Sequence, residues 1–239
     1  MDLSIIIPAW NEAAKIVTDV EHVDRFLQTA SLRAELIIVD DGSSDGTAES
    51  ARQVSVDPAL HLNVLTYQPH RGKGFAVRTG MTASRGEYIL FMDSGGNVPL
   101  SYINVGLERL RADRTEILMG SRHLPESKIT RNLVWYRRLT SFLFRQLVKL
   151  YLDLPVHLTD TQCGFKLFKG DIGRELFALS RSDGFLFDLE IILLALQRNY
   201  RIEEFPIEWQ CDRDSRLSVF GTSLSVWREL RSLKQKFYS

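Results

Sequence analysis

The chain has 239 residues, 44% hydrophobic and 25% charged, with 30 basic against 30 acidic side chains. This is the composition of an ordinary globular protein, sized for one large α/β domain with or without a helical appendage. Zero net charge gives no sign of a nucleic-acid partner, and two cysteines, Cys163 and Cys211, are too few for a disulfide framework or a zinc site.

In chain order, Leu3 to Ile7 reads as a β-branched strand closed by Pro8, followed by a helix from Asn11 and Glu12 to about Ala30. Leu36 to Val39 is a second strand. It ends in Asp40-Asp41-Gly42-Ser43-Ser44-Asp45-Gly46, with Asp45 or Ser44 expected to cap a helix from about Thr47 to Val54. Leu62 to Tyr67 is a third strand, followed by His70-Arg71-Gly72-Lys73-Gly74 and a helix over about Phe75 to Ser84. Tyr88 to Met92 is an apolar run of buried-strand type, stopped by Asp93, Ser94, Gly95, Gly96 and Asn97. This alternation predicts a parallel sheet covered by helices, with Asp93 at its carboxyl rim, where ligands of open α/β sheets bind.

Further on, a helix is expected over about Leu100 to Ala112 and a strand over Glu116 to Met119, leading to Gly120-Ser121-Arg122. A long helix over about Leu133 to Leu152 is stopped by Pro155. Then come Asp160-Thr161-Gln162-Cys163-Gly164-Phe165-Lys166-Leu167-Phe168, helices near Asp171 to Leu179 and Leu189 to Asn199, and a last strand over Ile202 to Trp209. Arg213 to Gly221 reads as a polar loop, and Ser223 to Phe237 as a basic amphipathic helix. No linker is visible, so 1–239 is read as one domain. Seven basic residues, Arg145 among them, face the single acid Glu126 between Arg122 and Lys149. With the Trp, Tyr, Phe and Leu beside them, the region at about 131–154 suits an anionic membrane surface or a phosphate. The chain shows no secretory leader and no run near the roughly 18 apolar residues that span a bilayer, so membrane contact is expected to be peripheral.

Carboxylates follow the first, second and fourth strands: Glu12, Asp40 with Asp41, and Asp93. Such groups suit hydrogen bonds to a ribose or base and can hold a cation. Neither GxGxxG after the first strand nor GxxxxGK[ST] is present, which disfavours dinucleotide oxidoreductases and P-loop NTPases. A diphosphate site without a glycine-rich loop usually needs a divalent ion, with Asp93 the best ligand. Cys163 reads as a small buried residue, His70 as structural, and Glu190 equally as a core-edge acid paired to an arginine or as a site residue.

The set IIIPAWNE, VDDGSSDGT, RGKG, YILFMD, GSR and DTQCGFKLF resembles the inverting glycosyltransferases of family 2, of GT-A fold. Within them it is similar to the polyprenyl-phosphate glucosyl- and mannosyltransferases, over roughly Leu3 to Val219. The resemblance implies hexose transfer from a nucleotide-diphosphate sugar, UDP-glucose favoured and GDP-mannose possible, to a polyprenyl phosphate at the cytoplasmic membrane face. Pro8, Trp10, Glu12, Val39, Asp41, Lys73, Asp93, Ser94 and Arg216 match positions around the nucleotide. Arg122, Arg137 and Ser141 match those gripping the lipid phosphate, and Asp160 the acid proposed as base or orienter of the acceptor. Catalysis would rest on Asp160, Asp93 and Arg122. Mg²⁺ or Mn²⁺ would sit on Asp93 and Asn97. The family pattern Asp-x-Asp is here Asp93-Ser94-Gly95, so its second acid is missing, and restoring it by Gly95→Asp is expected to raise turnover of a weakened site. A weakened nucleotide-sugar or lipid-phosphate binding homologue, or a soluble transferase with a non-lipid acceptor, are the other two readings.

Overall fold

Alternating burial decides the centre of the fold. In β1 (Leu3–Ala9), Leu3, Ile5 and Ile7 pack into one apolar cluster and Ile6 into a second on the opposite face, all without solvent exposure. The same split runs through β2 (Ala34–Asp40), with Leu36 and Ile38 on one side and Ile37 and Val39 on the other. In this computed structural model, residues 1–130, 135–210 and 223–238 are described, the side chains of 135–139 and 223–225 excepted.

The described strands form a seven-stranded sheet in the order β3-β2-β1-β4-β7-β5-β8. Its other members are β3 (His61–Thr66), β4 (Tyr88–Met92), β5 (Ile117–Ser121), β7 (Phe165–Lys169) and β8 (Ile202–Pro206). All pairings are parallel except those of β7, which runs antiparallel between β4 and β5. One face is covered by α1 (Ala13–Thr29), α2 (Thr47–Arg52) and α4 (Tyr102–Arg111). The other carries α3 (Lys73–Ala83), α5 (Trp135–Tyr151), α6 (Gly170–Leu179), α7 (Phe187–Gln197) and α8 (Ser223–Tyr238). A separate parallel pair joins β6 (Lys128–Ile129) to β9 (Glu208–Trp209).

Most expected elements stand within two residues of their predicted ends. Three features differ. The stretch Phe165 to Lys169 is a strand, because Lys166 in its middle finds a buried partner, Asp188, at 2.7 Å. The last strand is two: after Pro206, the Ile207 amide donates to the Ser121 carbonyl at 3.3 Å, and the chain leaves the sheet to pair with β6. The cap of α2 is Gly46, at φ 84, while Asp45 accepts from the amides of Ala13 at 3.0 Å and Thr47 at 3.1 Å, tying the starts of α1 and α2 together.

The apolar helix α7 contains two buried acids, Asp188 and Glu190. Glu190 is 1% exposed and accepts from the Ser180 hydroxyl at 2.7 Å and the amides of Arg181 and Ser182 at 2.9 and 2.7 Å. Its cation partner is a lysine rather than the expected arginine: Lys236 Nζ of α8 lies at 2.6 Å. The segment held this way reaches the start of α3, since the carbonyls of Gly184 and Asp183 accept from the amides of Gly74 and Phe75 at 3.2 and 3.3 Å. Glu190→Ala should cost about 3 kcal/mol, or roughly 6–12 °C in Tm, because it strands three buried donors. Lys236→Met should cost under about 1 kcal/mol, since that ammonium keeps water contact. Thermal unfolding of both variants checks the contrast.

Candidate active site

Strand β7 enters the sheet from the carboxyl rim of β4 and β5, so the residues before it arrive between the ends of those two strands. The Asp93 amide donates to the Gly164 carbonyl at 2.9 Å and extends the ladder. A Cβ on Gly164 would sit 2.1 Å from the Asp93 carboxyl carbon, so the Asp93 side chain rests on bare backbone. Gly164→Ala should therefore push Asp93 aside. We expect about 1–3 kcal/mol of lost stability and at least a roughly hundredfold loss of turnover, the cost of a misplacement near 1 Å. Steady-state kinetics beside a melting curve separates the two effects.

Asp93 meets Lys73 Nζ at 2.7 Å. Lys73 is the first residue of α3, two positions earlier than the predicted start. Burial alone would lower its pKa, but Asp93 and Asp188 outweigh that and hold it above the ordinary lysine value. Lys166, 2% exposed, pairs with Asp188. Both ammoniums stand over the Phe91 ring, at 5.5 and 5.9 Å from its centroid. Alternating charges thus run Lys166, Asp188, Lys73, Asp93 from the core to the rim.

The loop carrying Lys73 is anchored by Asp41. Its carboxylate accepts from the amides of Arg71 at 2.7 Å and Gly72 at 2.8 Å, and His70 Nδ1 lies 2.9 Å away. The His70 ring stacks on Trp10, centroids 4.3 Å apart, a structural contact as expected of His70. Trp10 itself is 41% exposed at the rim of β1. Asp41 therefore positions the loop with both its oxygens. The Val39 side chain is fully buried against α3. Pro8 is its register partner in β1. The Glu12 amide donates to Thr47 Oγ1 at 2.9 Å, and its carboxylate lies 3.6 Å from Lys15.

The 93–97 loop is latched to α1. Asp19, 3% exposed, accepts from the Ser94 hydroxyl at 2.6 Å and from the Gly95 amide at 3.0 and 3.1 Å. Ser94 thus faces α1, not the expected nucleotide. Gly95 sits at φ 100, outside the range an aspartate adopts without strain. The expected gain from Gly95→Asp does not carry over, because the new side chain would first have to refold the loop. The Asn97 side chain donates to the Ser94 carbonyl at 3.4 Å. Among the described residues no three His, Cys, Asp or Glu side chains converge for a metal ion. With Asp93 already paired and its companion acid replaced by glycine, these residues do not fit a divalent cation.

On the β5 side, Arg122 and Asp160 form a forked pair, Nε to Oδ2 at 2.6 Å and Nη2 to Oδ1 at 2.8 Å, with the Arg122 amide adding a third bond at 3.0 Å. Asp160 has no solvent exposure; burial pushes its pKa up, but Arg122 reverses this and holds it down at about 2. A carboxylate so acidic is a poor proton acceptor, so the geometry favours the orienting half of its expected role. Glu204 supports the turn from behind, accepting from the Asp160 amide at 2.7 Å and Thr159 Oγ1 at 2.6 Å. The Arg122 guanidinium carbon lies 5.2 Å from the Trp209 ring centroid. Burial drives the Cys163 thiol up to about 12, so it stays protonated.

Sequence reasoning gave no individual role to three participants. Asp188 and Lys166 lie 22 positions apart and carry no local signal. Arg145 had one: it extends the four-residue spacing of Arg137 and Ser141 along α5. It is half-buried and feels the charges of both Asp160 and Arg122; burial lowers its pKa, Asp160 opposes this and Arg122 adds to it. Ser141 is exposed on the same helix. The side chain of Arg137, all of Arg216, and Cys211 lie outside the described residues.

The sequence profile described as Glycosyl transferase family 2 matches residues 4–176. Dolichyl-phosphate beta-glucosyltransferase of Drosophila melanogaster is 32% identical, with 96% of this chain and 73% of that protein covered. The protein of that name in Saccharomyces cerevisiae is 30% identical, covering 98% and 75%. Among solved structures, glucosyl-3-phosphoglycerate synthase from Mycobacterium tuberculosis with Mn²⁺ and UDP-glucose superposes with TM-score 0.73 at 18% identity, covering 97% of this chain and 78% of that one. Mannosyl-3-phosphoglycerate synthase from Rubrobacter xylanophilus gives 0.72 at 20% identity, covering 99% and 75%. With the strand order, the rim carboxylates and these relatives agreeing, the chain belongs to glycosyl transferase family 2, of the dolichyl-phosphate β-glucosyltransferase type, and has the GT-A fold.

Proposed function

We propose that this glycosyltransferase moves glucose from UDP-glucose to a polyprenyl phosphate, with inversion, at the cytoplasmic face of a membrane. The observation that carries the reading is the Arg122–Asp160 pair joined by Arg145. Arg122 is fixed by a buried carboxylate at the end of β5, and Arg145 on α5 adds a second guanidinium whose charge that pair feels, so the acceptor phosphate is assigned to this side of Asp93. A planar fork suits a phosphate better than a sugar hydroxyl. The same helix that brings Arg145 exposes Phe142, Leu143, Leu147 and Leu150, the last 87% exposed, and Val156 just beyond it is 89% exposed. A continuous apolar stripe beside a phosphate site suits a lipid acceptor lying at a membrane surface. No helix among the described residues is long and apolar enough to cross one.

In this mechanism a phosphate oxygen attacks the anomeric carbon as the nucleoside diphosphate departs. The acceptor is anionic at neutral pH and needs no proton removed, so alignment and charge neutralisation are the protein's work. Arg122 and Arg145 align the acceptor, Trp10 offers a face to the base, and Lys73 meets the diphosphate. Labelled UDP-glucose or GDP-mannose, supplied with undecaprenyl or dolichyl phosphate in detergent, should yield a lipid-extractable glucoside from UDP-glucose. No product from any pairing would leave the weakened binding homologue, and product on a soluble acceptor alone would leave the non-lipid transferase. Arg145→Ala should raise the KM for the lipid phosphate at least about tenfold, two lost charge-assisted bonds being worth more than 1.4 kcal/mol. The KM for UDP-glucose should stay unchanged.

A further inference from the structure

The fold family brings a divalent ion to the leaving diphosphate, and the residues here hold a different cation in that place. Lys73 Nζ sits 2.7 Å from Asp93, the carboxylate that would otherwise bind metal. The position of the second acid is Gly95 at φ 100, its amide bound by Asp19, so the loop is built in a shape that excludes a carboxylate there. Behind Lys73 lies a second acid, Asp188, itself neutralised by Lys166 at 2.7 Å. The Lys73 side chain remains 26% exposed.

Building on the donor reading above, we propose that the Lys73 ammonium, held by Asp93, neutralises the departing diphosphate, and that transfer proceeds without a divalent cation. As the bond from the anomeric carbon to the diphosphate oxygen breaks, its electron pair passes to that oxygen, next to Lys73. The acceptor phosphate oxygen supplies the pair for the new bond. No proton or redox partner is needed, so charges and atoms balance with UDP and glucosyl lipid phosphate as products. Asp93 keeps the ammonium at the rim. Removing Lys73 therefore removes the charge, while adding metal supplies none that the site can hold.

The test measures UDP binding by calorimetry and transfer to polyprenyl phosphate, each in EDTA and in Mn²⁺. The proposal expects UDP affinity and turnover to agree within about threefold between the two conditions. It expects Lys73→Met to weaken UDP at least about tenfold in EDTA, with Lys73→Arg recovering part of the loss. UDP binding seen only with Mn²⁺, or untouched by Lys73→Met in a folded variant, overturns it. If no transfer occurs in either condition, the acceptor reading fails, and the calorimetry alone still decides the role of Lys73. If UDP binds in neither condition, the proposal fails as well.

Discussion

Asp160→Asn should lower turnover at least about a hundredfold and destabilise the fold by about 2–3 kcal/mol. The asparagine fills the same space but leaves the Arg122 guanidinium without its counter-charge. Breaking a buried pair from one side costs about 3–5 kcal/mol, and the 24% exposure of Arg122 puts the cost just below that range. The kinetic loss has another origin. The forked pair fixes the plane of the guanidinium, and a freed arginine gives up the alignment of the acceptor. The pH dependence follows from the same contact. The folded pKa of Asp160, about 2, lies below its ordinary 3.8. Its contribution to stability is therefore complete above about pH 4 and is lost as pH falls from there toward 2. Wild-type protein should lose this increment on acidification, and the variant should lack it at every pH. The rate against pH should show no limb from Asp160 between about 5 and 8, as a general base would give.

Lys73→Met should reduce turnover by roughly 10²–10³, the range seen when one preorganised donor to a developing anion is removed. The variant also leaves Asp93 facing the diphosphate without a counter-charge, so donor KM should rise together with the fall in kcat. Repulsion predicts that Lys73→Met combined with Asp93→Asn binds UDP better than Lys73→Met alone. Kinetics and calorimetry on the two variants check the sign of that coupling.

Much of this site was legible in the residues because strand ends advertise themselves. Tyr88 to Met92 followed by Asp93 could be placed to the residue, since a short apolar run stopped by an acid and two glycines has few other readings. Arg122 after Gly120-Ser121 could be placed for the same reason. Strand β7 could not, because Lys166 and Lys169 break the apolar run, and only the distant Asp188 makes a buried lysine tolerable. Positions and orientations also proved different things. Val39, Asp41 and Ser94 stand at the expected rim. Yet Val39 turns into the core, Asp41 is committed to the amides of its neighbouring loop, and Ser94 faces Asp19. Which way a rim side chain points is fixed by tertiary partners, and those partners lie 30 residues or more away in Asp41's bond to Arg71 and 75 away in Ser94's bond to Asp19.

The account turns on one pocket in which the donor's diphosphate meets Lys73 and the acceptor's phosphate meets Arg122, with Asp93 between. A crystal structure of the protein with UDP-glucose tests this most directly. The account predicts a diphosphate oxygen within about 3 Å of Lys73 Nζ, the base against Trp10, and the anomeric carbon open toward Arg122. A diphosphate bound away from Lys73, or a glucose whose anomeric carbon faces away from Arg122, would contradict it.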